Sequence, residues 1–426
     1  PTLRRLSSDR PLEGASPVKP ARDMQKPRLG WFRIASAALL LQFAATGCST
    51  PQRLGAVPEF ATTKADPGLG PIRFMAKSDL TPFIEEAKNS LRKEQAWLAS
   101  NGHTGALPPV NFLAVSGGGD NGAFGAGLLN GWTATGTRPE FKVVTGISTG
   151  ALIAPYAFLG PKYDHVLTTV YTTISKDDIF KKRGLLKGFF GDAMTDSAPM
   201  ARLIERYADR ALLDAIAAEY GKGRLLLVGT ADLDALEPVI WNMTAISASK
   251  DPRALDLFRR ILLASASIPG VFPPVMIDVE VDGIRHQEMH VDGGTIAQVF
   301  LYPPSFDLAT HATAVGAQRK RSVYIIRNAR LDPDWASVER KTMTVATRAI
   351  TSLTQTQGIG DLYRIFLTTQ RDGVDYNLAY IPANFGVAHR EEFDTNYMRQ
   401  LYAAGEQLAR AGYRWEKYPP GYSPPR

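Results

Sequence analysis

Short apolar segments alternate with longer amphipathic segments along most of the chain. The short runs are bounded by glycines or polar turns, which favours buried strands, at residues 111–115, 141–145, 224–229, 239–242 and 322–326. The longer segments have helical spacing, at residues 125–132, 151–159, 199–207, 212–220, 255–266 and 396–409. Strands that alternate with helices in this way predict an α/β layered fold with a largely parallel sheet.

The first 50 residues break this alternation. Residues 1–23 are polar, rich in Pro, Ser and Arg, and without periodicity, which predicts disorder. From Met24 a basic stretch leads into an apolar run, residues 34–45, that is too short to span a bilayer. Residues 24–47 are therefore interpreted as a secretory signal. With Met24 as the natural start, residues 1–23 are an extension of the gene model or a disordered segment.

The end of this signal, Ala45-Thr46-Gly47-Cys48, resembles the lipobox of bacterial lipoproteins. In that family the cysteine is the first mature residue and receives lipid, although Leu is usual where Ala45 stands. The absence of an acidic residue after Cys48 implies an outer-membrane destination in the family. We therefore expect a protein anchored by lipid in the bacterial cell envelope. Cleavage by an ordinary signal peptidase, giving a soluble periplasmic or secreted protein, and a short buried helix are the alternatives.

The remaining chain is long enough for one large domain with extensions. Residues 48–107 are expected to form a tether rich in Pro, Gly and Thr, followed by a helix to about Ser100 that Ser78 or Asp79 caps. The catalytic domain is expected at residues 108–415, with a Pro-rich tail at 416–426.

Charge and cysteine content exclude several classes of function. Of the net charge of +7, residues 1–33 carry +5, so the rest of the chain shows no basic face for nucleic acid. Cys48 is the only cysteine, which excludes an internal disulfide and Cys-rich metal sites. The six histidines lack metal-ligand spacing, and His286 and His290 are expected on a strand and turn. The sequence predicts no metal and no cofactor.

Gly146-Ile147-Ser148-Thr149-Gly150 is a G-x-S-x-G motif. It follows an apolar strand and precedes an apolar helix, the context of a nucleophile elbow that presents the Ser148 hydroxyl at the end of the strand. The helix N-terminus after Ser148 would favour negative charge developing nearby. The motif alone is weak, but these flanks favour a catalytic serine over an ordinary loop.

A second glycine-rich segment, Gly117-Gly118-Gly119-Asp120-Asn121-Gly122, also lies between a strand and a helix. It fits G-x-G-x-x-G, so a dinucleotide site and an oxyanion hole compete, beside a turn that only permits close packing. A dinucleotide site needs an acidic residue at the end of the second strand, whereas Glu140 precedes that strand and Ser148 follows it. The oxyanion hole is therefore favoured.

Asp292-Gly293-Gly294 is by itself a turn signal. A serine hydrolase needs a base, however, and candidates downstream of Ser148 are few. Asp292 is therefore a candidate general base.

These three motifs, in this order and with residues 264–274 before Asp292, resemble the patatin-like phospholipase family. The resemblance covers roughly residues 108–330. It implies a three-layer α/β fold and a Ser-Asp dyad that works without histidine. Ser148 would be the nucleophile and Asp292 the base, with the amides of Gly118 and Gly119 as oxyanion donors.

The same resemblance implies the remaining site residues and the partners. Gly117, Asn121 and Gly122 would complete the oxyanion loop, and the motif glycines would be Gly146, Gly150, Gly293 and Gly294. The substrate would be a phospholipid or acylglycerol ester at a membrane surface, cleaved through an acyl-enzyme. Lipidation would be at Cys48.

The chain departs from the family at two positions, and two rival functions stay open. Asn121 stands where the family usually has Arg or Lys, and Thr149 where it often has Ala. One rival is an α/β-hydrolase esterase with a triad of Ser148, Asp292 and either His311 or His389. The other is a non-catalytic surface lipoprotein that keeps the fold only to bind lipid or a partner.

Overall fold

The computed structural model describes residues 52–75, 79–182, 192–333 and 335–424. The chain divides into two compact units, Pro1–Ser49 and Thr50–Arg426, and all structural statements concern the second. The predictions for residues 1–23, for the signal at 24–47 and for Cys48 lie outside the described residues.

Within the described residues nine strands form one sheet, and five adjacent strands of it run parallel to one another. Along the main path the order is β1-β7-β6-β3-β2-β10-β11, and the β8–β9 hairpin joins it by pairing β9 with β6. The parallel strands are β6, β3, β2, β10 and β11, in that order across the sheet. The strands β1, β7 and β9 pair antiparallel with their neighbours. A separate two-stranded sheet pairs β4 with β5. The strands are β1 (Arg73–Met75), β2 (Val110–Val115), β3 (Phe141–Ile147), β4 (Lys181–Lys182), β5 (Thr195–Asp196), β6 (Leu225–Asp232), β7 (Glu237–Asn242), β8 (Val275–Val281), β9 (Ile284–Asp292), β10 (Arg321–Arg327) and β11 (Val374–Tyr380).

Helices cover both faces of this sheet. They are α1 (Thr81–Ser100), α2 (Gly122–Ala134), α3 (Thr149–Leu159), α4 (Asp164–Thr173), α5 (Lys176–Ile179), α6 (Ala198–Tyr207), α7 (Arg210–Gly221), α8 (Met243–Ala248), α9 (Ala254–Ser265), α10 (Leu308–Ala314), α11 (Thr342–Asp372) and α12 (Thr395–Arg410). The predicted α/β fold with a mostly parallel central sheet flanked by helices is confirmed, and each strand and helix predicted in the catalytic domain is present.

Successive side chains of each strand point to opposite faces of the sheet, so an apolar core forms on each face. The largest apolar cluster joins sheet residues such as Leu113, Val144 and Leu226 to helices including α2, α3, α9 and α12. On the opposite face, Phe112, Ala114 and Ile325 pack against α11, and Leu225 and Leu227 pack against Phe83 of α1. The sheet is thus the middle layer of three.

The described part of the predicted tether is packed against the domain instead of being extended. Residues 73–75 form β1 on the edge of the sheet beside β7, and Ala61 and Ile72 are buried in the main core. Apolar residues within the Pro/Gly-rich stretch explain the difference, since they bury surface that a free linker would leave in water.

The predicted Pro-rich tail also contacts the domain. Glu416 forms an isolated bridge with Leu378 of β11. Further along, Tyr422 contacts Phe366 of α11. Aromatic side chains between the prolines thus pack against the domain and hold this segment to it.

The three sequence motifs meet because of the strand topology. The glycine-rich segment follows β2, and Ser148 follows β3, the parallel neighbour of β2. Asp292 ends β9 and lies opposite Thr230 of β6, the other neighbour of β3. The carboxyl ends of the parallel strands β2, β3 and β6 lie at one edge of the sheet, and the antiparallel β9 ends beside Thr230 near the carboxyl end of β6, so that edge carries all three motifs.

Candidate active site

Ser148 occupies a sharp turn between β3 and α3. Its backbone has φ 55° and ψ −127°, a conformation that non-glycine residues seldom adopt. The side chain is almost buried, with 6% of its surface exposed. A strained serine between a strand and a helix is the geometry of a nucleophile elbow.

The two glycines of the G-x-S-x-G motif are required by close approaches of the backbone. A Cβ on Gly146 would overlap the carbonyl oxygen of Gly150, and a Cβ on Gly150 would overlap that of Val115 at the end of β2. The turn can therefore fold tightly against the neighbouring strand only with glycine at both positions.

Asp292 lies beside Ser148 at the end of β9. The side chain of Ser148 hydrogen-bonds its carboxylate, and the amide of Gly294 donates to Oδ1 at 2.7 Å. The backbone amide of Asp292 donates to the carbonyl of Ser267 at 2.9 Å. A Cβ on Gly293 would press on the carbonyl oxygen of Gly229, so this turn also needs a small residue. The predicted nucleophile and base thus lie next to each other.

Burial raises the pKa of Asp292 to about 7. Loss of water around the carboxylate is the largest cause, and the hydrogen bonds from Ser148 and the Gly294 amide oppose it by favouring the charged form. An ordinary Asp has a pKa near ~3.9 and is a weak base. This carboxyl is suited to exchange a proton near neutral pH.

Ser265, the last residue of α9, holds the backbone of the elbow. The amide of Ser148 donates to Ser265 Oγ at 3.0 Å, and that hydroxyl donates to the carbonyl of Gly229 at 2.7 Å. Ser265 is fully buried. Because this hydroxyl already accepts the hydrogen bond of the Ser148 amide, the oxyanion donors must be other N–H groups.

The glycine-rich loop runs along Ser148 on the side of β2. A Cβ on Gly117 would lie 3.2 Å from the Cβ of Ser148. The amide of Gly117 donates to the carbonyl of Gln298 at 3.0 Å. Among the contacts between described residues, no acceptor takes the amides of Gly118 and Gly119. These two N–H groups are therefore available to a ligand beside Ser148.

Asn328, directly after β10, fixes this loop. Its backbone amide donates to Ser116 Oγ at 2.8 Å, and its side-chain Nδ2 donates to the carbonyl of Ser116 at 2.9 Å. Its side-chain Oδ1 accepts from the backbone amide of Gly125 at 3.1 Å. Gly118 has φ 152°, and a Cβ there would overlap the carbonyl oxygen of Asn328. The asparagine thus bonds both flanks of the loop, and no motif in the sequence indicated it.

Asn121 and Asp120, at the end of the loop, have partners on the segment that leads into α12. Asn121 Oδ1 accepts from the hydroxyl of Tyr397 at 2.6 Å. Asp120 Oδ2 accepts from the amide of Phe393 at 2.8 Å and lies 2.7 Å from Nε2 of His389. Gly122 leaves room for Thr149 Oγ1, which a Cβ would overlap. The loop is therefore held at both ends.

The histidines of the rival triad have other partners. His389 is bonded to Asp120, and this hydrogen bond raises its pKa. His311 stacks on Phe306, with ring centroids 5.0 Å apart. His290, fully buried on β9, lies 2.9 Å from Thr230 Oγ1 and 3.2 Å from Glu288. Among these contacts none reaches Ser148 or Asp292.

Two clusters among the described residues have the spacing of metal ligands. One is Asp120, His389 and Glu392, and the other is Asp232, Glu288 and His290. In the second cluster Glu288 also pairs with Arg73, a cation that would compete with a metal ion. Both clusters contain internal hydrogen bonds that account for their arrangement.

An apolar cavity of about 70 Å³ begins at Thr149, next to the nucleophile. Leu152, Met200, Ile204 and Leu262 are among its walls. It is smaller than the ~300–1,000 Å³ of small-molecule sites, so a whole acyl chain would fit only after its walls move.

Residues 113–303 match the family described as patatin-like phospholipase. The match supports a relationship to this family and, with it, the activity of a lipid hydrolase. It spans the glycine-rich loop, the elbow and Asp292, so all three sequence motifs lie within it. No curated protein matches the chain significantly.

Solved structures show only distant likeness. VipD from Legionella pneumophila is 9% identical with a TM-score of 0.34, covering 71% of this chain and 67% of that chain. Human GIVD cytosolic phospholipase A2 is 10% identical with a TM-score of 0.27, covering 66% of this chain and 51% of the enzyme. Within the described residues, no helix has the length and apolar character to cross a bilayer.

Proposed function

We propose that this protein is a serine acyl hydrolase that cleaves phospholipid or acylglycerol esters through a Ser148–Asp292 dyad. The contact between a strained serine and a buried carboxyl with a pKa of about 7 carries the proposal. The patatin-like match supports the lipid class of the substrate.

The first step is attack on the ester. Ser148 Oγ adds to the substrate carbonyl carbon while Asp292, already hydrogen-bonded to that hydroxyl, takes its proton. A carboxylate with a pKa near 7 accepts this proton more readily than an ordinary Asp would. The negative charge then moves to the carbonyl oxygen.

The glycine-rich loop stabilises that oxyanion. The amides of Gly118 and Gly119 have no acceptor among the described residues and lie on the loop that runs beside Ser148. Fixed donors of this kind stabilise charge that develops in the transition state without reorganising. Asn328 keeps the loop in place through its bonds to Ser116 and Gly125.

The second half of the reaction reverses the roles. Protonated Asp292 gives its proton to the departing alcohol as the carbon–oxygen bond breaks, leaving an acyl ester on Ser148. Asp292 then takes a proton from water, and the hydroxide equivalent attacks the acyl-enzyme. Release of the fatty acid restores the Ser148 hydroxyl. The cavity that begins at Thr149 is an apolar space next to the acyl group.

We also propose that the enzyme is held at the membrane by lipid on Cys48, in the bacterial cell envelope. The support is in the sequence, because the only cysteine ends a signal-like segment. A lipid hydrolase gains by being kept at its substrate surface.

The proposal is tested by measuring fatty acid release from phospholipid and triacylglycerol vesicles by the purified protein and by Ser148→Ala. We expect release by the wild type and a loss of about 10⁴-fold or more in the variant, as for other catalytic serines. The matched control is Ser247→Ala, a buried serine whose hydroxyl donates to the carbonyl of Met243. Full activity in folded Ser148→Ala would refute the proposal, and inactivity of the wild type on every lipid would favour the binding-protein rival.

A further inference from the structure

A second apolar cavity lies away from the candidate active site. It has a volume of about 430 Å³, within the ~300–1,000 Å³ of small-molecule sites. Its floor is the face of the sheet at Phe112, Val143 and Leu227, and its walls include α1 and α10. Ser148, Asp292 and the glycine-rich loop are not among its lining residues.

The position of this cavity in the sheet separates it from the reaction. Val143 and Leu225 are near the amino ends of β3 and β6, whereas Ser148 follows the carboxyl end of β3. Five residues of strand, from Val143 to Ser148, span roughly 16 Å. The floor of the cavity at Val143 is therefore separated from Ser148 by most of the length of β3.

Most of the wall is hydrocarbon without free hydrogen-bonding groups. The apolar wall is made of aliphatic and aromatic side chains, among them Phe83, Leu91, Leu225, Leu301 and Phe306. Two polar groups that line it are already engaged: Ser90 Oγ donates to the carbonyl of Gly223, and the Tyr302 hydroxyl donates to Asp372. A ligand that fits must be apolar over most of its length.

The charged side chains that line the cavity are cationic. They are Lys88, Lys142, Arg319 and Arg321. Lys142 and Arg319 share one carboxylate, Glu94, at 2.8 and 2.6 Å, and Lys88 pairs with Glu85. The lining cations therefore exceed the carboxylates that bind them.

Arg321 carries the excess charge. Its guanidinium donates to the backbone carbonyls of Ala317 and Arg319, and among the described contacts no carboxylate bonds it. Asp372 is near, but Arg371 and Tyr302 already hydrogen-bond it. Arg321 begins β10 and Lys142 is the second residue of β3, so the cations gather at the amino edge of the sheet.

We propose that this cavity binds a single-chain amphiphile with a carboxylate head, such as a free fatty acid. The chain would lie along the apolar floor, and the carboxylate would meet Arg321 at the amino edge. An apolar wall with surplus positive charge at one end complements this ligand. Under the proposed function such an acid is also the product, but binding here does not depend on hydrolysis.

The test is calorimetric titration of the full-length protein with dodecanoate. We expect one equivalent to bind at this cavity, with Ala87→Trp, which fills it from α1, weakening binding at least tenfold. Ala96→Trp is the matched control, an exposed alanine on the same helix that does not line the cavity. Unchanged binding in Ala87→Trp, or an equal loss in Ala96→Trp, would overturn the proposal.

The charge is tested separately, with a variant that leaves the apolar walls intact. Arg321→Gln should weaken dodecanoate binding at least tenfold, and Lys320→Gln, an exposed neighbour outside the lining, should not. Dodecanol should bind at least tenfold more weakly than dodecanoate. Equal affinity for the alcohol, or full affinity in Arg321→Gln, would reject a carboxylate ligand. None of these variants changes Ser148 or Asp292, so the dodecanoate-binding result can be interpreted even if the hydrolase assay fails.

Discussion

The pKa of Asp292 results from two opposing influences that the fold controls separately. Removal from water raises it, and hydrogen bonds from Ser148 and the Gly294 amide lower it. The folded protein therefore binds this proton more tightly than the unfolded chain, and ionised Asp292 destabilises the fold as pH rises from about 4 to about 7. A base active near neutral pH is obtained at the expense of stability.

Activity should follow the ionisation of this carboxyl. Because the base must be deprotonated, kcat/KM should fall about tenfold per pH unit below the pKa and level off above about 7. The measurement is kcat/KM for a soluble ester between pH 5 and 9. A profile that is flat down to pH 5 would contradict a buried Asp292 as the base.

Substitution of the base separates the dyad from the triad. Asp292→Asn removes the proton acceptor and should lower kcat about 10⁴-fold while the protein stays folded. His389→Ala and His311→Ala should retain most activity, because these rings contact Asp120 and Phe306 instead of the dyad. Steady-state rates and circular dichroism check both points. A folded but inactive histidine variant would favour the triad.

Residues that act on the site through the backbone were not predictable. Ser148 and Asp292 are parts of short motifs, so each could be predicted from its neighbours in sequence. Ser265 and Asn328 instead bond the amide of Ser148 and the flanks of the glycine loop from positions 117 and 212 residues away. A single sequence does not show which distant hydroxyl or amide will satisfy a given backbone group.

At the scale of elements, apolar strands that end in glycines were predictable and the long helix α11 was not. β2 and β3 are short apolar runs before a turn, and both were predicted. α11 was missed because threonines and two glycines, residues of weak helix propensity, interrupt its periodicity. Only three of its apolar residues, Leu362, Ile365 and Phe366, reach the core. Contacts with β10 and β11 stabilise this helix, and local sequence does not.

The strand-to-helix loop after β2 gives a prediction at this scale. Gly118→Val would push a side chain into the carbonyl of Asn328 and displace the free amides of the loop. Loss of one oxyanion donor typically lowers kcat about 10²–10³-fold. Gly136→Val is the control, since it has a comparable need for positive φ in open space after α2. Near wild-type kcat in folded Gly118→Val would show that this loop does not bind the oxyanion.

At the scale of the whole molecule, the reaction must meet an insoluble substrate. Cys48 precedes the described residues by only a few positions and is the only cysteine. A lipid on that side chain would hold the domain at the membrane.

We predict that the mature protein begins at an acylated Cys48. Several acyl chains on one residue give stable anchoring, since each buried CH₂ contributes about 0.8 kcal/mol and a single chain binds only reversibly. Expression in a Gram-negative host, fractionation and mass measurement of the N-terminal peptide test this, with Cys48→Ser as the matched variant. The wild type should fractionate with membranes and carry the added mass of the lipid, whereas Cys48→Ser should lose that mass. A soluble periplasmic protein with an unmodified Cys48, or one that retains residues 1–23, would refute the anchor. The dyad would be unaffected by that result, because Ser148 and Asp292 lie in the part of the chain from β2 to β9, which the tests of activity address directly.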